Sequence, residues 1–286
     1  MTMAETTRIA RSVAELRACV SAWRRAGETV GVVPTMGALH RGHISLVEAA
    51  RAACRRTIAT IFVNPKQFGP REDFDKYPRT LDADCNQLQA AGCDVVFVPD
   101  EGEIYPEPQG YSVEPPDIQH ILDGAIRPGH FRGVATVVLK LFNMVQPHAA
   151  IFGKKDYQQC IVLRNMVRQL ALPIEIILAE TVRAADGLAL SSRNGYLSVA
   201  ERTEAPALHR VLLKARDELS AGKRDFQRIE LEGMASLAGR GWKPDYLAIR
   251  RQADLLPPEP DDRALVVLGA AKLGNTRLID NVEVVV

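Results

Sequence analysis

The sequence predicts an α/β fold: a parallel sheet with helices on both faces, followed by a smaller α+β lobe. Three observations carry this. Short apolar, β-branched runs alternate with helical patterns over roughly the first 181 residues, as βαβ crossovers require. Polar, glycine-containing motifs begin where three of those runs stop. Beyond about residue 181 the strand-like pieces follow one another with fewer helical connections.

Taken in order, Ser12 and Glu15 form an S-x-x-E capping box, and Val13, Leu16, Val20 and Trp23 follow at helical spacing. Gly27 is placed to end that helix. "TVGVVP" (29–34) reads as a buried strand broken by its proline, and "HISLVEAARAAC" after it has a helical pattern. "TIATIFVNP" (57–65) is a second strand stopped by Pro65, "LDADCNQLQAAG" a helix closed by Gly92, and "DVVFVP" (94–99) a third strand. The apolar content of "GVATVVLKLFNMVQP" suits helix or strand alike; its length favours a helix terminated by Pro147. "HAAIFG" (148–153) gives a fourth strand, "DYQQCIVLRNMVRQLAL" a helix and "PIEIILA" (173–179) a fifth strand. The expected result is a Rossmann-like parallel sheet with its ligand crevice at the strands' carboxyl ends.

The second part, 182–286, opens with the loop "TVRAADGLALSSRNGYL". A long helix is expected from Ser198 toward Leu219, then β-rich pieces in "KPDYLAIR", "ALVVLGAAKLG" and "TRLIDNVEVVV". Trp242 and "KPDYL" read as packing of this lobe.

Composition narrows the function. Hydrophobic residues make up 47% and charged residues 25%, an ordinary globular balance. The net charge of +1 leaves no footprint for DNA or RNA, and Arg24–Arg25, Arg55–Arg56 and Arg250–Arg251 read as solvated faces. Cys19, Cys54, Cys85, Cys93 and Cys160 are scattered with no CxxC spacing, so neither a disulfide framework nor a zinc site is indicated. The opening stretch carries Glu5 and lacks the apolar run of a signal peptide, and nowhere do eighteen apolar residues run together. The expected setting is cytoplasmic, without a membrane or nucleic-acid partner.

Chemistry gathers in three motifs. In "PTMGALHRGHISLV" (34–47), His40 and His43 sit about one helical turn apart if a helix starts near Gly42. Gly42 removes a side chain where a phosphate would approach, and a helix N-terminus adds donors. The same residues are compatible with a helix cap and a satisfied polar side chain. Zinc is disfavoured, since no third ligand lies nearby and the spacing is not H-E-x-x-H. In "GKKDYQQ" (153–159) lysines at a strand end can hold a polyphosphate, and Asp156 can cap the next helix or bind a hydroxyl. In "LSSRN" (190–194) two hydroxyls and a guanidinium suit anionic oxygens. Neither a P-loop nor a G-x-G-x-x-G fingerprint is present.

Together these motifs carry a family resemblance. H-x-G-H after the first strand resembles the signature of the class I synthetase and nucleotidyltransferase superfamily, and "LSSR" resembles a variant of its mobile K-M-S-K-S loop. "VPTMGALHRGH", "IFVNPKQFG", "YPRT", "RPGHFRGVATVVLKLFN", "FGKKDYQQ", "ADGLALSSRN" and "LGNTRLIDN" occur in the order found in the pantoate–β-alanine ligase family, over about residues 30 to 282.

The resemblance implies ATP-dependent joining of pantoate to β-alanine through a pantoyl adenylate, with release of pyrophosphate and AMP. Pantoate's carboxylate is already ionised, so the first step needs no general base; it needs relief of negative charge on the phosphoryl oxygens. By similarity the catalytic set is His43, matching a proton donor, with His40 and Lys155. ATP is implied against Met36, Gly37, Ala38, Leu39, His40, Arg41, Gly42 and His43, against Gly153, Lys154, Lys155 and Asp156, and against Val182, Leu190, Ser191, Ser192 and Arg193. Gln67 and Gln159 match the glutamines that grasp the acid substrate, and uncharged amides leave its carboxylate nucleophilic. The resemblance divides the chain into a nucleotide- and pantoate-binding domain (1–181) and a lid (182–286), and implies a homodimer. Magnesium (Mg2+) is expected with ATP, with no protein ligand assigned. Asp84 is a candidate for a supporting role, and Tyr77 and Gln87 read as structural. Two positions depart from the family: Lys154 stands where glutamate is common, reversing a charge, and Leu190 replaces a methionine of similar volume.

Overall fold

The expected parallel sheet forms from six strands instead of five. The computed structural model describes residues 7–70 and 72–286; Glu5 lies outside the described residues. In chain order the first part comprises β1 (Arg8–Ala10), α1 (Val13–Arg25), β2 (Val30–Thr35), α2 (Arg41–Ala53), β3 (Arg56–Ile61), α3 (Leu81–Ala90) and β4 (Val95–Phe97). The single-turn helices α4 (Glu101–Ile104) and α5 (Asp123–Ile126) follow, then α6 (His130–Val145), β5 (Ala149–Gly153), α7 (Tyr157–Gln169) and β6 (Glu175–Ala179). The strands lie parallel in the order β1–β4–β3–β2–β5–β6. The unforeseen β1 pairs with β4 at the sheet edge; with three residues it is too short to show a period.

Alternation along the strands assigns the helices to faces. Val30, Val32 and Ile58 point into a core shared with α1, α6 and α7, while Val33, Ala59 and Val96 pack against α2 and α3. Helix α6 lies in the first of these cores with ten buried residues, which leaves it only a narrow polar row, Arg132, Thr136, Lys140 and Asn143. The capping box of Ser12 and Glu15 is present, and Gly27 and Gly92 adopt positive φ just past the ends of α1 and α3.

The second part contains α8 (Val199–Glu204), α9 (Ala207–Ser220), α10 (Phe226–Ala238) and the antiparallel strands β7 (Lys243–Arg251), β8 (Ala264–Leu273) and β9 (Thr276–Val285). The long helix expected from Ser198 is thus two helices. Pro206 lacks the N–H that would continue the ladder and starts α9 anew. Helix α10 went unforeseen. Strand β8 is buried on both faces: Leu265 and Val267 face α9 and α10, whereas Val266 and Leu268 meet Leu122, Tyr157 and Ile161 of the first part. Trp242 packs in the lobe's core and donates to Glu204 at 3.1 Å.

Polar contacts also dock α5 on the second sheet. Asp123 accepts from Arg277 at 2.6 Å and from Tyr246 at 3.0 Å. Arg24, Arg25 and Arg55 are exposed as expected, whereas the other arginines of these pairs are half-buried against acids: Arg56 pairs with Glu28 and Asp94, Arg250 with Glu230, and Arg251 with Asp254. No helix among the described residues is long and apolar enough to cross a membrane.

Candidate active site

The crevice originates in the sheet itself. The ladder between β2 and β5 covers only Gly31–Ala149 and Val32–Ala150. Beyond it Pro34 has no N–H to offer, and the carboxyl ends of these neighbouring strands lead into separate loops. Chain order reverses here, β2 passing to β3 on one side while β5 lies on the other, which is where open α/β sheets bind ligands.

The loop after β2 is held in an uncommon conformation. Gly37 and Ala38 have φ of +80° and +51°. Asp84, buried on α3, accepts from the backbone N–H of Ala38 at 2.9 Å and of Leu39 at 2.8 Å, and Thr80 donates to both its oxygens at 3.2 Å. The supporting role expected of Asp84 therefore belongs to the loop: its carboxylate is fully engaged. Gln87 donates to the Leu39 carbonyl at 3.4 Å, a structural tie as expected.

His40 caps α2, its Nδ1 accepting from the Gly42 N–H at 3.1 Å, and His43 Nδ1 accepts from the His40 N–H at 3.3 Å. The rings lie 4.1 Å apart. With both Nδ1 atoms accepting, the proton of each neutral ring sits on Nε2. Burial and the Lys155 ammonium hold His40 down to about 4; burial, His40 and Lys155 hold His43 down to about 3. The helix cap left open by the spacing is present, and the same two residues line the cleft.

At the end of β5 the two lysines part. Lys155 lines the cleft, 3.8 Å from the Asp156 carboxylate. Lys154 pairs instead with Glu180 at 2.6 Å and Glu283 at 2.7 Å, so its side chain is committed to the second sheet. Asn281 on β9 donates to the carbonyls of Lys154 and Lys155 at 2.8 and 3.0 Å, fixing the turn. Asp156 precedes α7 without making the side-chain cap its position suggested.

The serine–arginine segment reaches across from the second part. Its base is an isolated bridge between Arg183 and Ala189, and Arg183 grips the buried Asp280 through both terminal nitrogens at 2.6 and 2.9 Å. The Ser192 hydroxyl lies 3.2 Å from that of Tyr77, and Arg193 pairs with Asp73. Tyr77 is thus a cleft residue as well as a packing one.

Gln67 follows β3 on a single turn, Pro65–Gln67, that "RPGHFRG" immobilises. Its carbonyl accepts from His130 Nδ1 at 2.8 Å, and Arg127, two-pronged on Glu72, donates to His130 Nε2 at 2.9 Å. Burial and the Arg127 charge hold His130 down to about 4. Gly133 permits α6 to rest on this turn: a Cβ there would lie 2.2 Å from the Lys66 carbonyl oxygen. The Gln67 amide accepts from Asn64 at 3.1 Å and donates to the Met36 sulfur at 3.1 Å.

One cavity of about 210 Å³ is lined by Met36, His40, Gly42, His43, Gln67, Gly153, Lys155, Asp156, Gln159, Val182, Leu190, Ser191, Ser192 and Arg193. A chamber of about 790 Å³ adjoins it and shares Lys155, Asp156, Gln159, Ser191 and Arg193. The volumes suit a nucleotide with a small acid. Of the remaining sequence candidates, Gly37, Ala38 and Leu39 contribute the supported loop, whereas Arg41 is exposed and pairs with Glu48. Sequence reading passed over Asn64, Asp73, Arg127, His130, Gly133 and Asn281; all except Asp73 lie inside the quoted motifs. Among the described residues, no three His, Cys, Asp or Glu side chains converge as a metal cage.

A family profile described as Pantoate-beta-alanine ligase matches residues 8–283. Pantothenate synthetases of Leptothrix cholodnii and Chromobacterium violaceum are 53% and 55% identical to the chain, each comparison covering 96% of it and 99% of the relative. A solved pantothenate synthetase from Thermus thermophilus superposes with a TM-score of 0.92 at 45% identity, covering 98% of this chain and all of that one. A pantoate–β-alanine ligase from Francisella tularensis, complexed with βγ-ATP and β-alanine, gives 0.80 at 32% identity over 96% of this chain and 97% of its own. With its motifs gathered on one cleft and its whole length matched, the chain belongs to the pantoate–β-alanine ligase family of enzymes.

Proposed function

We propose that the cleft joins pantoate to β-alanine in two steps. In the first, a pantoate carboxylate oxygen bonds to the α-phosphorus of ATP while the bond to pyrophosphate breaks. In the second, the β-alanine nitrogen, having lost its ammonium proton, attacks the acyl carbon, and AMP leaves. The observation that carries this reading is the shared cavity: imidazoles after β2, an ammonium after β5 and the serine–arginine segment face one space with Gln67 and Gln159.

Each group then has a task. Lys155 and Arg193 offset the charge that builds on the phosphoryl oxygens and the departing pyrophosphate. Neutral His40 and His43 direct Nε2–H donors at those oxygens. The depressed basicity suits this, because an imidazole that stays neutral donates without parting with its proton early. Met36–His43, Gly153–Asp156, Val182 and Leu190–Arg193 surround ATP, Lys154 and Arg41 contributing backbone only. Gln67 and Gln159 hold pantoate. Segment 182–286 serves as the lid, keeping water from the labile acyl adenylate.

Magnesium fits the donor set only as a passenger on the phosphates. Asp84 is engaged by backbone and Glu180, which also lines the cleft, by Lys154, so Asp156 is the carboxylate left facing the cleft beside Lys155, and magnesium characteristically takes one or two carboxylates with phosphate and water. Bound there it would neutralise phosphate charge. We further propose a cytoplasmic homodimer, which light scattering on the purified protein would check. The deciding experiment for the reaction is isotope exchange between pyrophosphate and ATP: it should need pantoate and proceed without β-alanine. Exchange that is absent, or independent of pantoate, would overturn the adenylate route.

A further inference from the structure

Gln67 has a side chain whose two ends differ: one accepts hydrogen bonds, the other donates. Which end faces the substrate decides what the pocket can recognise, and the surroundings settle it. Asn64, 1% exposed, donates from Nδ2 to Gln67 Oε1 at 3.1 Å. The Gln67 acceptor is thereby occupied from behind, and its Nε2 rests on the Met36 sulfur, a weak acceptor that a substrate oxygen would readily replace. Asn64 is in turn aligned. Its Oδ1 accepts from the Lys66 N–H and its Nδ2 donates to the Gly133 carbonyl, both at a long 3.3 Å. The short contact is with Tyr105, whose hydroxyl donates to Asn64 Oδ1 at 2.8 Å.

Tyr105 follows α4 and is absent from the lining of the cleft. Its ring is itself clamped, with the Lys66 and Lys140 ammoniums at 4.9 and 5.1 Å from the centroid and Phe62 at 6.2 Å. Burial and the Glu101 charge push its hydroxyl up to about 12, so it remains a donor across the working pH range.

We propose that Tyr105 is a positioning residue which, together with the Lys66 N–H and the Gly133 carbonyl, holds Asn64 in the orientation that sets the polarity of the Gln67 amide, so that the acid pocket presents N–H donors and selects a substrate rich in acceptor oxygens. The inference rests on the reading that Gln67 holds pantoate. Reversing the Gln67 amide would set two donors face to face at Asn64 Nδ2, and reversing Asn64 would do the same at the Lys66 N–H and oppose two acceptors at the Gly133 carbonyl; the Tyr105 hydroxyl, able to donate or accept, adds the shortest of the contacts that hold Asn64 in place.

The test uses three variants of the full-length enzyme, with KM for pantoate and for ATP measured separately. Tyr105→Phe removes the hydroxyl while keeping the ring beneath both ammoniums. It should raise the pantoate KM about five- to tenfold, the size of one lost hydrogen bond, with kcat and the ATP KM changed less than about twofold. Gln67→Ala should raise the pantoate KM further, and Tyr105→Phe added to it should do nothing more. Gln67→Glu can still accept from Asn64 but offers no donor, and it should be worse for pantoate than Gln67→Ala. If Gln67→Ala leaves the pantoate KM unchanged, the assignment of Gln67 fails. If it raises the KM while Tyr105→Phe does not, or if Tyr105→Phe acts equally in the Gln67→Ala background, the Tyr105 relay fails and the assignment stands. Wild-type affinity in Gln67→Glu, whose fold does not depend on the Tyr105 change, would overturn the polarity directly.

Discussion

Arg193 meets Asp73 in a two-pronged ion pair, Nε to Oδ2 at 3.0 Å and Nη2 to Oδ1 at 2.9 Å, joining the serine–arginine segment to the stretch beyond Gln67. Burial would raise the Asp73 carboxyl, yet the guanidinium holds it below its ordinary range. In the proposed reaction Arg193 turns to phosphate, so Asp73 competes with ATP. Asp73→Asn should therefore tighten ATP about three- to tenfold, roughly 0.7–1.4 kcal/mol, and make 190–196 more open to protease without nucleotide. Calorimetric titration and limited proteolysis check both; weaker ATP binding would mean that Asp73 aligns Arg193 for the ligand.

Asp84 supports a loop that cannot support itself. Asp84→Ala strands two backbone N–H groups, and Asp84→Asn turns a donor toward one of them. Each variant should lose about 2–4 kcal/mol in urea unfolding, together with ATP affinity. A loss below about 0.5 kcal/mol would show that water replaces the carboxylate without penalty.

The adjacent lysines should separate cleanly. Lys155→Ala should weaken ATP at least about tenfold and lower the adenylation rate by orders of magnitude, whereas Lys154→Ala should alter ATP affinity less than about threefold while reducing stability. His43→Ala should match Lys155→Ala in rate with the fold intact. Stopped-flow or quenched single turnovers read the rate; near-normal values in both would remove the proposed site.

Gly133→Ala places a methyl group where the Lys66 carbonyl lies. Either α6 or the Pro65–Gln67 turn must shift, which should cost about 1–3 kcal/mol and raise the pantoate KM more than the ATP KM. Equal effects on both substrates would show that the displacement spreads beyond Gln67.

The pH dependence of stability follows from three depressed imidazoles, His40 at about 4, His43 at about 3 and His130 at about 4, against an ordinary 6.5. Below pH 6.5 the unfolded chain takes up protons that the folded chain refuses, so stability falls as pH drops toward 4 and is unaffected by these groups above 6.5. Each adds up to about 1.4 kcal/mol per pH unit within that window. Urea midpoints between pH 7.5 and 5, a range above most carboxylate titration, should decline below 6.5; a flat profile would contradict the burial of these rings.

What the sequence disclosed follows the range of the interaction. The βαβ alternation, the capping box at Ser12 and the glycine stops were legible because period and cap chemistry are local. Strand β1 was too short to announce itself, and Pro206, which divides α8 from α9, was visible but its force was overlooked. In the site, His40, His43, Lys155 and Gln67 could be named from motif order. The partners that aim them could not, since Asp84 to Leu39, Tyr105 to Asn64 and Asn281 to Lys155 are contacts between residues 41 to 126 positions apart. Lys154 illustrates the limit: its charge was plain, but only its pairing with Glu283 tells where that charge is used.

Strand β9 carries a mechanical consequence. Asp280 holds the root of the serine–arginine segment and its immediate neighbour Asn281 holds the lysine turn, so two segments that line the one cleft are gripped from adjacent residues of a single strand. A push that loosens either is passed to the other within a single residue's rise of about 3.4 Å.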